Sequence, residues 1–245
     1  YRQVLAEAEQ AASLALLEGN LWTLAESYQM RGTIYACFNM EDMMLTEYKR
    51  AAHLLSETRW QKDLRMIFYN IGATYLGIDR FQEAEVYLDK ASGGSAGGAA
   101  GNSSGNASGN DSDSSSGAGD ISGPARYFLW HKLALLYHRT GRSSQAGKAL
   151  AQMKGLVHND KERNTAEIRE SILELTALEL SGQADSDLYL TRLEALMEVF
   201  FQRHMFGYMM FYHNHLRQLY TRRRLYRKAY LLEQRFSDIR RNSSL

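Results

Sequence analysis

Three pairs of residues constrain this chain more than anything else in it. Each is a small residue followed three positions later by tyrosine: Gly32 and Tyr35 in RGTIY, Gly72 and Tyr75 in NIGATY, Ala134 and Tyr137 in KLALLY. Positions i and i+3 share one face of an α-helix. The small residue lets a second helix approach closely, and the aromatic ring fills the space beside it. A second helical segment with its own small residues follows each pair: TEYKRAAHL with Ala51, FQEAEVYLDKA with Ala84 and Ala91, and SSQAGKALAQM with Ala146. Gly32 and Gly72 stand 40 residues apart, as do Tyr35 and Tyr75. Self-similarity at a period of about 20 to 50 residues marks stacked repeats, because one hairpin alone cannot cover its apolar faces.

The rest of the composition agrees with helices. The chain has 245 residues, 44% of them hydrophobic, enough for a sizeable core. Residues 92–126 are Gly, Ser, Ala, Asn and Asp with almost nothing apolar. They hold 10 of the 19 glycines and the only proline, Pro124. Such a tract cannot bury enough surface to offset its ordering entropy, so a disordered insertion is expected there. It falls between hairpins, where long loops are tolerated because closure entropy grows slowly with length. Helical repeats are therefore expected over 1–91 and again over 127–245, as one continuing solenoid. Outside the insertion the chain is poor in helix breakers and rich in Ala, Leu, Glu, Arg, Met and Gln, which predicts an all-α fold.

The order Trp130, Leu133, Ala134, Tyr137, Gly141, Ala146 resembles the tetratricopeptide repeat (TPR). Residues 65–91 match it at Gly72, Tyr75, Ala84 and Ala91, with Phe68 where Trp is usual. Residues 25–51 match at Gly32, Tyr35, Tyr48 and Ala51, and depart at Met44, where the pattern wants a small residue. HLRQLYTRRRLYRKAYLLEQRF matches weakly at Leu216, Tyr220 and Ala229, and the segment before it keeps two helices around a Gly turn. The 40-residue spacing exceeds the usual period of about 34, as helices one turn longer would make it. The resemblance implies a right-handed α-α superhelix, a TPR-like solenoid of antiparallel helix hairpins. Residues 1–18 read as the second half of a preceding hairpin.

Catalytic and metal chemistry find little support in the sequence. Asp111, Asp113 and Ser115 start like a calcium loop, but Ser116 and Ser122 stand where Gly and Glu are required. His213 and His215 point to opposite sides of a helix, and His204 adds nothing at regular spacing. There is no HExxH, no paired CxxC and no phosphate-binding glycine loop. No metal, no cofactor and no enzymatic activity are expected. Asn102, Asn106, Asn110 and Asn242 stand in Asn-x-Ser triplets, which matter only in a glycosylating compartment. The one cysteine, Cys37, excludes an internal disulfide and reads as a buried thiol. The methionines and tyrosines of MFGYMMFYHNHLRQLY read as core between repeats.

In TPR proteins the first helix of each pair lines a concave groove. Carried over by register, that groove would show Tyr69, Asn70 and Ala73 in the second unit. In the third it would show Phe128, His131, Lys132, Leu135 and Arg139, and in the last Asn214, His215, Gln218 and Arg222. Asn70 and Lys132, each two residues before the small residue, match a ligand-clamping position of the peptide-binding members. The resemblance therefore implies a non-catalytic protein- or peptide-binding module, the sensory or scaffolding part of a larger bacterial signalling or transcription-regulating protein. A freestanding adaptor is the alternative, and self-association is a further partner class. Nucleic acid is the disfavoured third reading. It rests on Arg222, Arg223, Arg224, Arg227 and Lys228 within a segment, 203–241, that carries ten Lys/Arg against Glu233 and Asp238. A solvated basic face, or one paired with the acidic repeats or with anionic lipid headgroups, is expected instead. The chain has no apolar run of about 18 residues and begins at Tyr1. It is expected to be a domain of a longer protein, touching a membrane only through flanking segments. Its compartment, periplasmic or cytoplasmic, stays open.

Overall fold

The structure, a computed structural model, describes residues 2–37, 40–56, 61–93, 123–157 and 163–242. Most of the Gly/Ser-rich tract, with Asn102, Asn106, Asn110, Asp111, Asp113, Ser115 and Ser116, lies outside the described residues, as does the side chain of Cys37. Eleven α-helices and no strands form among the described residues. They are α1 (Arg2–Glu18), α2 (Leu21–Cys37), α3 (Glu41–Ser56), α4 (Gln61–Gly77), α5 (Phe81–Ser92), α6 (Gly123–Arg139), α7 (Ser143–Leu156), α8 (Arg163–Leu180), α9 (Asp187–Gln202), α10 (Phe206–Arg222) and α11 (Tyr226–Asn242). The helix after the tract begins four residues earlier than the sequence boundary at 127. Pro124 is in its first turn, where its missing N–H costs nothing.

One turn recurs along the chain. The amide N–H groups of Asn20, Met40, Arg80, Arg142, Gln183, Met205 and Leu225 each donate to the carbonyl five residues earlier. This closes the preceding helix with a reversed turn. The turn requires a left-handed residue. Gly19, Gly141 and Gly182 supply it at φ of 70°, 77° and 77°, and Asp79, His204 and Arg224 are forced into it at 60°, 53° and 58°.

The small residues do what their spacing predicts. A Cβ on Gly32 would lie 2.8 Å from the Tyr48 ring of α3, and one on Gly72 would lie 2.8 Å from Leu88 Cγ of α5. Ala134, Ala84, Ala91 and Ala51 are wholly buried. Helices pack against their chain neighbours in order from α1 to α11, and the even-numbered helices also meet one another, α4 on α6 and α6 on α8. The Tyr127 hydroxyl donates to the Arg169 carbonyl at 2.6 Å, tying α6 to α8. This is an all-α architecture of helix pairs compatible with a helical repeat.

Two further contacts leave chain order. Helix α10 packs on α2 and on α4. The inner face of the early hairpins, which the resemblance implies to be an open groove, is covered by a late helix of the same chain. An aromatic file holds that helix down. Phe200 stacks with Tyr208 and Tyr212 at 5.5 and 6.0 Å, and Tyr208 meets Phe128 at 4.9 Å.

Candidate ligand cavity

Where α10 spans the inner face it leaves a cavity of about 460 Å³ between α3, α4, α6 and α10. Met44 and Tyr48 line it from α3, Met66, Tyr69, Asn70 and Ala73 from α4, Phe128 and Lys132 from α6, and Tyr208, Met210, Phe211 and Asn214 from α10. The walls are thioether, aromatic ring and methyl groups, with a few polar atoms converging. Its charged lining groups among the described residues are Lys132 and the half-buried Glu41. The side-chain amides of Asn70 and Asn214 make no hydrogen bond among the described residues. The Thr74 hydroxyl donates to the Asn70 carbonyl at 2.8 Å and lies 3.7 Å from Met44 Sδ.

Lys132 is 3% exposed. Its Nζ lies 2.8 Å from the centroid of the Phe211 ring and 5.8 Å from that of Tyr212. It forms no hydrogen bond or ion pair among the described residues. Burial, and then the Arg139 guanidinium, hold its amine well below the ordinary lysine value, with Glu179 acting weakly the other way. Next to it His131 is 2% exposed, its Nε2 3.1 Å from the Tyr212 hydroxyl and its Nδ1 without a partner. Burial, then Lys132 and Arg139, push that imidazole well below its usual value, so it is neutral. Burial raises the Tyr212 phenol well above its own. The contact is therefore a neutral hydrogen bond joining α6 to α10.

A second compartment of about 230 Å³ adjoins the first, sharing Gly77, Phe211 and Asn214 with it. This one is polar. Glu179 is its hub, accepting from Arg139 at 3.2 Å and from the Tyr189 hydroxyl at 3.1 Å. Arg139 also lies 3.7 Å from Asp79. The Glu179 carboxylate is thus already engaged. His215 sits edge-on to Tyr189, held below its ordinary pKa first by burial.

The residues expected in the groove divide accordingly. Tyr69, Asn70, Phe128, Lys132 and Asn214 line the apolar cavity. Leu135, Arg139, Asn214, His215, Gln218 and Arg222 line the polar one, and His131 lies inside the wall behind both. Sequence reasoning missed Met44, Met66, Tyr208, Met210 and Phe211. Two signals pointed to them. Met44 breaks the small-residue pattern, and the stripe Gly207, Met210, Phe211, Asn214 runs along one face of α10 beside the core residues Met209 and Tyr212. The reading of that helix as core holds for Met209, Tyr212 and Leu216 and not for the cavity face.

The basic segment is largely engaged. Arg222 lies 3.4 Å from Asp185, Arg223 pairs with Asp187 at 2.5 Å and donates to the Asp185 carbonyl, and Lys228 pairs with Glu194 at 2.7 Å. Arg235 pairs with Glu198 at 2.5 Å. Arg224 and Arg227 are exposed and make no ion pair among the described residues. Among the described residues no group of three His, Cys, Asp or Glu could hold a metal ion, and no helix is long and apolar enough to cross a membrane. Comparison of the chain with protein-family models, with curated proteins and with solved structures gives no match.

Proposed function

We propose that this chain is a non-catalytic, ligand-binding helical-repeat module, a TPR-like right-handed superhelix whose recognition element is the apolar cavity beneath α10. The observation that carries the reading is the convergence of Lys132, Asn70 and Asn214 on a cavity of about 460 Å³ with mostly apolar walls. Pockets of that size, shape and mixed lining are where ligands bind. The partner is a protein or peptide segment that inserts an apolar side chain between α4 and α10. Helix α10 packs on α2 and α4 and also on α11. Occupancy would bias the position of α10 and carry that change to the C-terminal helix, which suits the sensory part of a larger bacterial signalling or transcription-regulating protein.

The test is selection of peptides from a random heptapeptide display library on the immobilised module, followed by affinity measurement. Ala73→Trp, which fills the cavity from α4, should abolish binding of the selected peptides. Arg224→Ala, on the far surface, should leave it unchanged. Peptides that bind Ala73→Trp as well as the parent chain would refute the cavity as the recognition element.

A further inference from the structure

A lysine that is 3% exposed normally faces a carboxylate. Lys132 faces an aromatic ring, two amides and a cavity. The groups around it come from α4, α6, α8 and α10. His131 and Arg139 lie on its own helix α6, Glu179 on α8, Tyr69 and Asn70 on α4, and Phe211, Tyr212 and Asn214 on α10. None neutralises it: Glu179 holds Arg139 and Tyr189, and Glu41, the other charged group lining the cavity, makes no ion pair with it. A cation–π contact offsets only part of the desolvation of an ammonium group. What is missing from the site is a carboxylate with an apolar body to fill the walls formed by Met44, Met66, Phe128, Tyr208 and Met210.

We infer that the cavity is a binding site for a small apolar monocarboxylic acid, its carboxylate paired with Lys132 Nζ and hydrogen-bonded by the amides of Asn70 and Asn214, its tail lying against the methionines and rings of α3, α4 and α10. At about 30 Å³ per non-hydrogen atom, 460 Å³ accommodates about 15 such atoms, the size of dodecanoate. The inference rests on the cavity reading above and adds to it a free small-molecule ligand, distinct from a peptide side chain. Binding also takes up a proton. Burial keeps the amine below its ordinary value in the empty cavity, and an entering carboxylate restores the ammonium. Affinity for the acid therefore falls as pH rises through the amine's lowered value.

Isothermal titration of the full chain with dodecanoate, dodecanol and dodecylamine separates the claims. Dodecanoate should bind about tenfold more tightly than dodecanol, since a charge-assisted pair distinguishes them, and dodecylamine should not bind. Titration in two buffers of different ionisation enthalpy should show net proton uptake for the acid alone. Lys132→Met keeps the volume and removes the charge. It should fold, lose the proton uptake and bind the acid and the alcohol equally. Equal binding of acid and alcohol by the parent chain, or undiminished acid affinity in Lys132→Met, overturns the inference and leaves the cavity reading standing. Undiminished binding of both ligands by Ala73→Trp places them outside the cavity and likewise overturns the inference, while the peptide selection on Ala73→Trp decides the cavity reading.

Discussion

Gly72→Ala is the sharpest test of the repeat packing, because two opposing effects of known size meet at one atom. Alanine is the better helix former by about 0.8–1 kcal/mol, so the local effect is stabilising. The new Cβ would lie 2.8 Å from Leu88 Cγ, 2.9 Å from Leu88 Cδ2 and 3.0 Å from the Leu88 backbone nitrogen. Ordinary contact is about 3.5–4.0 Å, so α5 itself must move by roughly half an ångström or more. Leu88 is fully buried and has nowhere to turn. Overpacking of this kind costs about 1–3 kcal/mol, which offsets or outweighs the propensity gain and leaves a net loss of about 0–2 kcal/mol. Gly147 is the control. It is an exposed position of α7, and a Cβ there would meet nothing within 4 Å. Gly147→Ala should therefore stabilise by about 0.8 kcal/mol. Urea denaturation followed by circular dichroism would read a gap of about 1–3 kcal/mol between the variants, and the melting points should separate in the same sense, by about 2–4 °C per kcal/mol. Equal stabilisation by both would refute the close approach of α4 and α5, and with it the physical meaning of the small-residue register.

Other expectations follow from turns and buried groups. Arg224 holds φ at 58° in a turn where Gly141 and Gly182 stand elsewhere, so Arg224→Gly should raise stability by about 0.5–1 kcal/mol, measured by the same urea series. His131 and His215 are both held below their ordinary pKa, chiefly by burial. The unfolded chain then binds protons that the folded chain excludes. Their contribution is complete above about pH 6.5 and is lost as pH falls below it towards the depressed folded values. His131→Gln should flatten that decline between pH 6.5 and 5 in urea midpoints, and an unchanged slope would show that His131 is not buried neutral.

Much of the fold was legible because its cause is local. Gly32 with Tyr48, and Gly72 with Leu88, are hairpin contacts a few turns of helix apart, and the residue types at those positions carry the requirement directly. The turns were partly legible: Gly141 and Gly182 announce themselves, whereas Asp79, His204 and Arg224 adopt the same conformation with side chains that disfavour it. The site was legible only by register. Asn70 and Lys132, expected on one groove face from the resemblance, both line the cavity. The return of α10 onto α2 and α4 depends on contacts more than a hundred residues apart, and no periodicity encodes such a contact. For the same reason the Met and Tyr residues of MFGYMMFYHNH could be read as apolar but not divided between the core and the cavity wall. Lys132 itself reads from sequence as a surface lysine. In the structure the rings of Phe211 and Tyr212, arriving from α10, lie against its ammonium nitrogen.

The central claim is that α10 closes over the inner face, and the hydrogen bond between Tyr212 and His131 reports on it most directly. The two residues are 81 positions apart in the chain and meet at 3.1 Å inside the protein. A double-mutant cycle with Tyr212→Phe, His131→Leu and the pair, each measured by urea denaturation, isolates their interaction from the losses each change causes alone. A buried neutral hydrogen bond should give a coupling of about 1 kcal/mol. A coupling indistinguishable from zero, with both single variants folded, would mean that α10 does not rest on α6 and that the cavity does not form.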